Sequence, residues 1–179
     1  MLTILPEALV AAAQKVVDAN LTAGRTVCVA ESCTGGLVSA AITEIPGSSE
    51  MFERGYVTYS NDAKVDTLNV SPDVIDTFGA VSIATAWSMA QGALEASGAD
   101  VAVAITGVAG PGGGTEKKPV GTVVFARAER GADPQHVVAD RKDFGAIGRG
   151  GIRLQAALCA LDLLMPSAGD PPEVPGVEP

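Results

Sequence analysis

Two short runs constrain this chain more than any other feature: Thr26–Ala30, TVCVA, and Val101–Ile105, VAVAI. Both are apolar or β-branched throughout. A strand sends successive side chains to opposite faces, so a run with no polar alternate has to be covered on both sides. The segments between the runs carry helical spacing. Pro6–Leu21 puts Leu9, Ala13, Val16, Val17 and Leu21 on one face, with Pro6 suited to a first turn. Thr34–Ile45 reads as helix, and Gly55–Ser60 as a strand with Tyr56 and Thr58 on one face. Short helical pieces are expected from about Asp62 and Pro72, and Ser82 is placed to cap a longer helix carrying Ala86, Met89, Ala90, Ala93 and Leu94.

Beyond the glycine-rich loop Thr106–Thr115, strands are expected over Gly121–Ala128 and His136–Asp140. A closing helix over Gly151–Met165 carries Leu154, Leu158, Leu161 and Met165 as its stripe. Helices interleaved with apolar strands predict a three-layer α/β/α domain. The sheet is expected to be mixed, because the two strands after Pro119 are close enough to form a hairpin. The expected domain spans residues 1–165. The remaining residues, 166–179, contain five of the 11 prolines and no basic or aromatic residue, and read as a flexible tail.

Composition narrows the function classes. With 12 Lys+Arg against 21 Asp+Glu the net charge is −9, which argues against a binder of nucleic-acid backbones. Aromatics at 4% supply no stacking platform for single strands. The longest uncharged stretch, Thr77–Leu94, is broken by Gly79, Ser82, Thr85, Ser88, Gln91 and Gly92, so neither a membrane span nor a membrane partner is expected. The start, MLTILPEAL, has no basic region before its apolar piece and does not read as a signal peptide. Cys28, Cys33 and Cys159 cannot all pair within the chain, and free thiols in a reducing cytoplasm are the expectation. One histidine and no clustered cysteine leave no metal site in view. Trp87 and the four phenylalanines are expected in or beside the core.

Three segments could carry chemistry. Ala30–Gly36, AESCTGG, stands where a central strand hands over to a helix, the usual ligand position in open α/β sheets. Ser32 and Cys33 are both candidate nucleophiles there. The N–H groups of Cys33, Thr34, Gly35 and Gly36 are candidate oxyanion donors, and the glycines would let a ligand come close. The competing reading is that Ser32 or Thr34 merely caps the helix, or that the turn binds an anion. The second segment, Tyr56–Lys64, places Tyr59 at a sheet edge and Lys64 in the turn beyond. His136, in an outer strand, is expected to face solvent, so Ser-Lys or Ser-Tyr-Lys is the available alternative to Ser-His-Asp. Lys64 would need its pKa lowered by burial or a nearby cation; otherwise it is a solvated turn residue. The third segment, Thr106–Thr115, holds five glycines in ten residues and is either a ligand-approaching loop, through Thr106, Gly107, Gly110 and Gly112, or a plain connection. It fits no nucleoside-triphosphate loop pattern. Arg149 and Arg153, four residues apart, could together hold a phosphate.

Taken in order, AESCTGGL at 30–37, IPGSS at 45–49, RGYVTYSNDAK at 54–64, GAVS at 79–82, ITGVAGPGGGT at 105–115 and KPVGTV at 118–123 resemble the CinA C-terminal domain family over about residues 6–165. Its stand-alone members include nicotinamide-nucleotide amidases. The resemblance implies an amidohydrolase converting nicotinamide mononucleotide to nicotinate mononucleotide and ammonia in pyridine-nucleotide salvage, with no cofactor and with a homo-oligomer plausible. It maps the family's serine onto Ser32, its tyrosine onto Tyr59 and its lysine onto Lys64. Whether Lys64 or Tyr59 takes the proton stays open. The glycine-rich loop with Arg149 or Arg153 would hold phosphate and ribose. Two departures stand out. The domain resembling molybdopterin-binding proteins found in longer CinA proteins is not in this sequence, so its activity is not expected. The family's F-x-G-D-R before the last helix is here Phe144-Gly145-Ala146-Ile147-Gly148-Arg149, which lacks the acidic residue and is one residue longer. The competing classes are a catalytically silent nucleotide-binding module and an interaction domain linked to competence or DNA damage.

Overall fold

The computed structural model describes residues 3–133 and 135–166. Its frame is a five-stranded sheet of β1 (Val27–Glu31), β2 (Phe52–Val57), β3 (Val101–Gly107), β4 (Thr122–Glu129) and β5 (Val138–Asp143), in the order β2-β1-β3-β4-β5. Strands β2, β1 and β3 run parallel, whereas β4 and β5 are antiparallel to their neighbours, so the sheet is mixed as the sequence predicts. The helices are α1 (Glu7–Ala23), α2 (Leu37–Thr43), α3 (Asn61–Leu68), α4 (Pro72–Phe78), α5 (Ile83–Ser97) and α6 (Gly148–Leu163).

The two apolar runs explain the layering. In β3, Val101, Val103 and Ile105 meet the α1, α2 and α6 side, together with Leu9, Val16, Ile42, Ile152 and Leu161. Ala102 and Ala104 face the other way, as do Cys28 and Ala30 of β1, and pack with Leu68, Met89, Ala90 and Leu94. Large side chains on one face and small ones on the other let α5 lie close to the sheet. Helix α3 in turn lies close on α5, because a Cβ at Gly92 would stand 1.9 Å from the carbonyl oxygen of Leu68. That approach seats α3 over the end of the sheet where the three parallel strands finish.

Several elements differ from the sequence expectation. Helix α2 starts at Leu37, not Thr34, because Gly35 and Gly36 take left-handed φ values of +58° and +92°. Strand β2 ends at Val57, where its partner β1 ends, and the Thr58 N–H donates the last bond to Glu31 O at 2.9 Å. Residues 58–60 are therefore a turn. Strand β5 runs from Val138 and leaves exposed His136 in the preceding turn, while α6 begins at Gly148 and so includes Arg149. Leu21 is 37% exposed and Asn20 takes the buried place, its Nδ2 donating to Val16 O and Leu164 O and its Oδ1 accepting from Arg25. Phe78 is also exposed, while Phe125 is fully buried and Trp87, Phe52 and Phe144 pack beside the core. Of the expected tail, all but Pro166 lies outside the described residues.

Gly92→Ala forces a methyl group into the α3–α5 contact. Overpacking of this kind costs about 1–3 kcal/mol, and the variant should unfold at lower urea concentration with an unchanged slope.

Candidate active site

All three parallel strands point their C-terminal ends to one rim, where a cleft of about 270 Å³ opens. Ser32 follows β1, the Thr58–Ser60 turn follows β2, and Gly107 ends β3. Ser32, Cys33, Tyr59, Lys64, Thr106, Gly107, Gly110, Gly112 and Arg149 all line the cleft. Of the other residues singled out from the sequence, Thr34, Gly35, Gly36 and Arg153 do not.

Ser32 is held in place through its own backbone. Its N–H donates to Ile105 O at 2.9 Å, and its carbonyl accepts from Gly35 N–H at 3.0 Å. Neither Ser32 nor Thr34 caps α2. That end is satisfied by Glu31, a fully buried carboxylate that accepts from the N–H groups of Gly36 (3.0 Å), Val38 (3.1 Å) and Ser39 (2.9 Å) and from Ser39 Oγ (2.7 Å). Two of the four amides expected to hold an oxyanion, Gly35 and Gly36, are therefore already engaged. Among the described residues the amides of Cys33 and Thr34 have no carbonyl or carboxylate acceptor.

Lys64 is not a solvated turn residue. It is 1% exposed, and its Nζ lies 3.1 Å from Ser32 Oγ. Nζ also donates to Thr58 O at 2.9 Å and to the carbonyls of Tyr59 and Ser60, each at 3.4 Å. Ser60 Oγ caps α3 by accepting from Ala63 N–H at 3.0 Å, which fixes the turn whose carbonyls surround the amine. Burial pushes the Lys64 pKa below the ordinary 10.5, against an opposing pull from Cys33. Lys64 meets Ser32 directly, with no side chain between them. The Tyr59 hydroxyl, on a half-exposed ring, instead accepts from Arg149 Nη2 at 2.7 Å.

Cys33 is a poor rival to Ser32. Burial raises its thiol to about 11, and the Glu31 carboxylate adds to this against the opposing effects of its own N–H, Arg153 and Lys64. A thiol with that pKa is almost wholly protonated at neutral pH. Arg149 Nη1 donates to Gly110 O at 2.7 Å, so this residue ties the glycine-rich loop to Tyr59 across the cleft mouth. Arg153 donates to Cys33 O and Thr34 O and lies outside the cleft lining, so the two guanidinium groups do not form the joint phosphate grip that their spacing suggests. Sequence reasoning also missed Asn61, Ala80 and Val81, which line the cleft. All three fall inside the 54–64 and 79–82 motifs, so the signal was present, without chemistry to single them out. No group of three or more His, Cys, Asp or Glu among the described residues is arranged to hold a metal ion.

The mixed five-stranded sheet carries its cleft at the C-terminal rim of the parallel strands, the usual ligand position in an open α/β domain. The chain matches the CinA C-terminal domain over residues 10–167, and it belongs to that family. It is 51% identical to nicotinamide-nucleotide amidohydrolase PncC of Enterobacter agglomerans over 138 residues, 77% of this chain and 82% of that one. A CinA-like protein of Mycobacterium avium is 57% identical over 108 residues, but this chain spans only 25% of that longer protein's length. Among solved structures, competence/damage inducible protein CihA from Agrobacterium tumefaciens superposes with a TM-score of 0.86 at 46% identity, covering 91% of this chain and 97% of that one. A CinA superfamily protein from Klebsiella pneumoniae gives 0.81 at 34% identity, covering 87% and 94%.

Two outcomes follow from the buried groups. In native protein at pH 7.5, iodoacetamide should leave Cys33 unmodified until urea is added, as read by peptide mass mapping. Glu31→Gln places an amide NH2 against N–H donors and should lower unfolding stability by about 3 kcal/mol.

Proposed function

We propose that this protein is a serine-dependent amidase that hydrolyses nicotinamide mononucleotide to nicotinate mononucleotide and ammonia, a salvage step for pyridine nucleotides. The observation that carries the reading is the 3.1 Å approach of a buried Lys64 amine to Ser32 Oγ at the floor of the cleft. The relationship to PncC, whose name states a nicotinamide-nucleotide substrate, supports the same substrate class.

In the amine form of Lys64, the Ser32 hydroxyl donates its hydrogen to the Nζ lone pair. Ser32 Oγ attacks the carboxamide carbon as that proton moves to Nζ. The carbonyl oxygen becomes an oxyanion, for which the N–H groups of Cys33 and Thr34 are the available donors. The tetrahedral intermediate collapses by breaking the C–N bond, and Lys64 returns the proton so that nitrogen leaves as ammonia. Water then attacks the acyl-serine carbon as Lys64 takes one of its protons; the C–Oγ bond breaks, Lys64 returns that proton to Ser32 Oγ, and the acid leaves as its carboxylate, releasing its proton to solvent. Val81, Val108 and Ala109 offer the pyridine ring an apolar wall. Arg149, at the mouth with Tyr59, is placed for the phosphate, with Thr106, Gly107, Gly110 and Gly112 along the ribose side. No cofactor enters these steps.

Purified protein incubated with nicotinamide mononucleotide should release ammonia stoichiometrically with nicotinate mononucleotide. Ser32→Ala and Lys64→Met should each lower kcat by about 10³-fold or more. Nucleotide binding without turnover by the native chain would instead mark it as a silent binding module. The rate requires unprotonated Lys64, so kcat/KM should rise with pH and level off below the ordinary lysine range, with the rising limb absent from any residual activity of Lys64→Met.

A further inference from the structure

The geometry points to Arg153 as a positioning residue that sets the oxyanion-binding backbone next to Ser32. This inference rests on the amidase reading above and deepens it. Arg153 sits one turn after Arg149 on α6, half-buried and outside the cleft lining. Its Nε donates to Cys33 O at 3.2 Å and its Nη2 to Thr34 O at 2.7 Å. A trans peptide unit points its C=O and N–H in opposite directions. Holding the Cys33 carbonyl on the guanidinium therefore turns the Thr34 N–H away from α6. Holding the Thr34 carbonyl likewise orients the Gly35 N–H, which donates to Ser32 O.

The rigid fork thus fixes two successive peptide planes beside the nucleophile. Its charge also polarises the Cys33–Thr34 peptide and makes the Thr34 N–H a stronger donor. A phosphate could be held by the same donors only if these carbonyl bonds broke. A lysine ammonium can also reach carbonyls, as Lys64 does, but it has no rigid planar fork to fix two peptide planes relative to each other.

The test compares native protein, Arg153→Lys and Arg153→Met, each first confirmed as folded by circular dichroism and thermal unfolding. On nicotinamide mononucleotide, kcat should fall by about 10- to 100-fold in the methionine variant, with KM changing by less than about twofold. The lysine variant should recover only part of the loss. The preference for the mononucleotide over nicotinamide riboside, which lacks the phosphate, should be unchanged. A raised KM together with loss of that preference would overturn the assignment and make Arg153 a phosphate ligand. A second measurement does not depend on the substrate: phenylmethylsulfonyl fluoride should modify Ser32 more slowly in Arg153→Met than in native protein, read by intact mass. Equal rates overturn the inference. If native protein releases no ammonia from the mononucleotide, the amidase reading fails while the labelling comparison still decides the role of Arg153.

Discussion

A lysine amine has been taken almost entirely out of water and set against a serine hydroxyl, and the surrounding architecture is arranged around that placement. Removing an ammonium from water costs several kcal/mol even after relaxation. Part of the cost is offset by the carbonyls of Thr58, Tyr59 and Ser60, which ring Nζ in one turn of backbone. The remainder appears as a lowered pKa, the property a proton acceptor needs. The turn itself is pinned at one end by the last β1–β2 bond and at the other by the Ser60 cap on α3. The helix then reaches its seat only because α5 presents a bare backbone at Gly92.

The neighbouring carboxylate has an equal influence through what it takes away. A helix start beside a nucleophile ordinarily offers free N–H groups and a partial positive charge to a developing anion. Here Glu31 occupies that start, and Gly35 and Gly36 bend the backbone before it. The amides left without such an acceptor lie upstream, in the stretch between Ser32 and Gly35. Arg153 braces that stretch from α6, and Arg149 braces the glycine-rich loop and Tyr59 from the same helix, so one helical turn sets the outline of three separate loops.

Much of this was legible in the sequence. The runs at 26–30 and 101–105 announced two central strands, and the hairpin after Pro119 announced the mixed sheet. Ser32 and Lys64 could be nominated, but 32 residues of chain separate them and spacing alone left Lys64 as readily on the surface. The errors have local physical causes. Thr34 reads as a cap and puts the expected start of α2 three residues early, while the carboxylate that takes its place lies within the preceding strand. The expected β2 lies three residues late because TYS is as β-prone as FER, and only the length of its partner decides where pairing stops. Periodicity puts Leu21 in the core, whereas Asn20 is buried because it ties α1 to the end of α6 through Leu164. Partnerships of this kind join residues distant in the chain and leave no periodic trace.

The glycine-rich loop leaves β3 at Gly107 and re-enters the sheet on the adjacent antiparallel strand, where Gly107 lies opposite Val123. Both its ends are thus moored at one corner of the sheet, and no part of the Ser32–Lys64 pairing passes through it. Changing the length or lettering of this span would therefore remodel one wall of the cleft while the Ser32–Lys64 contact beneath it stayed in place.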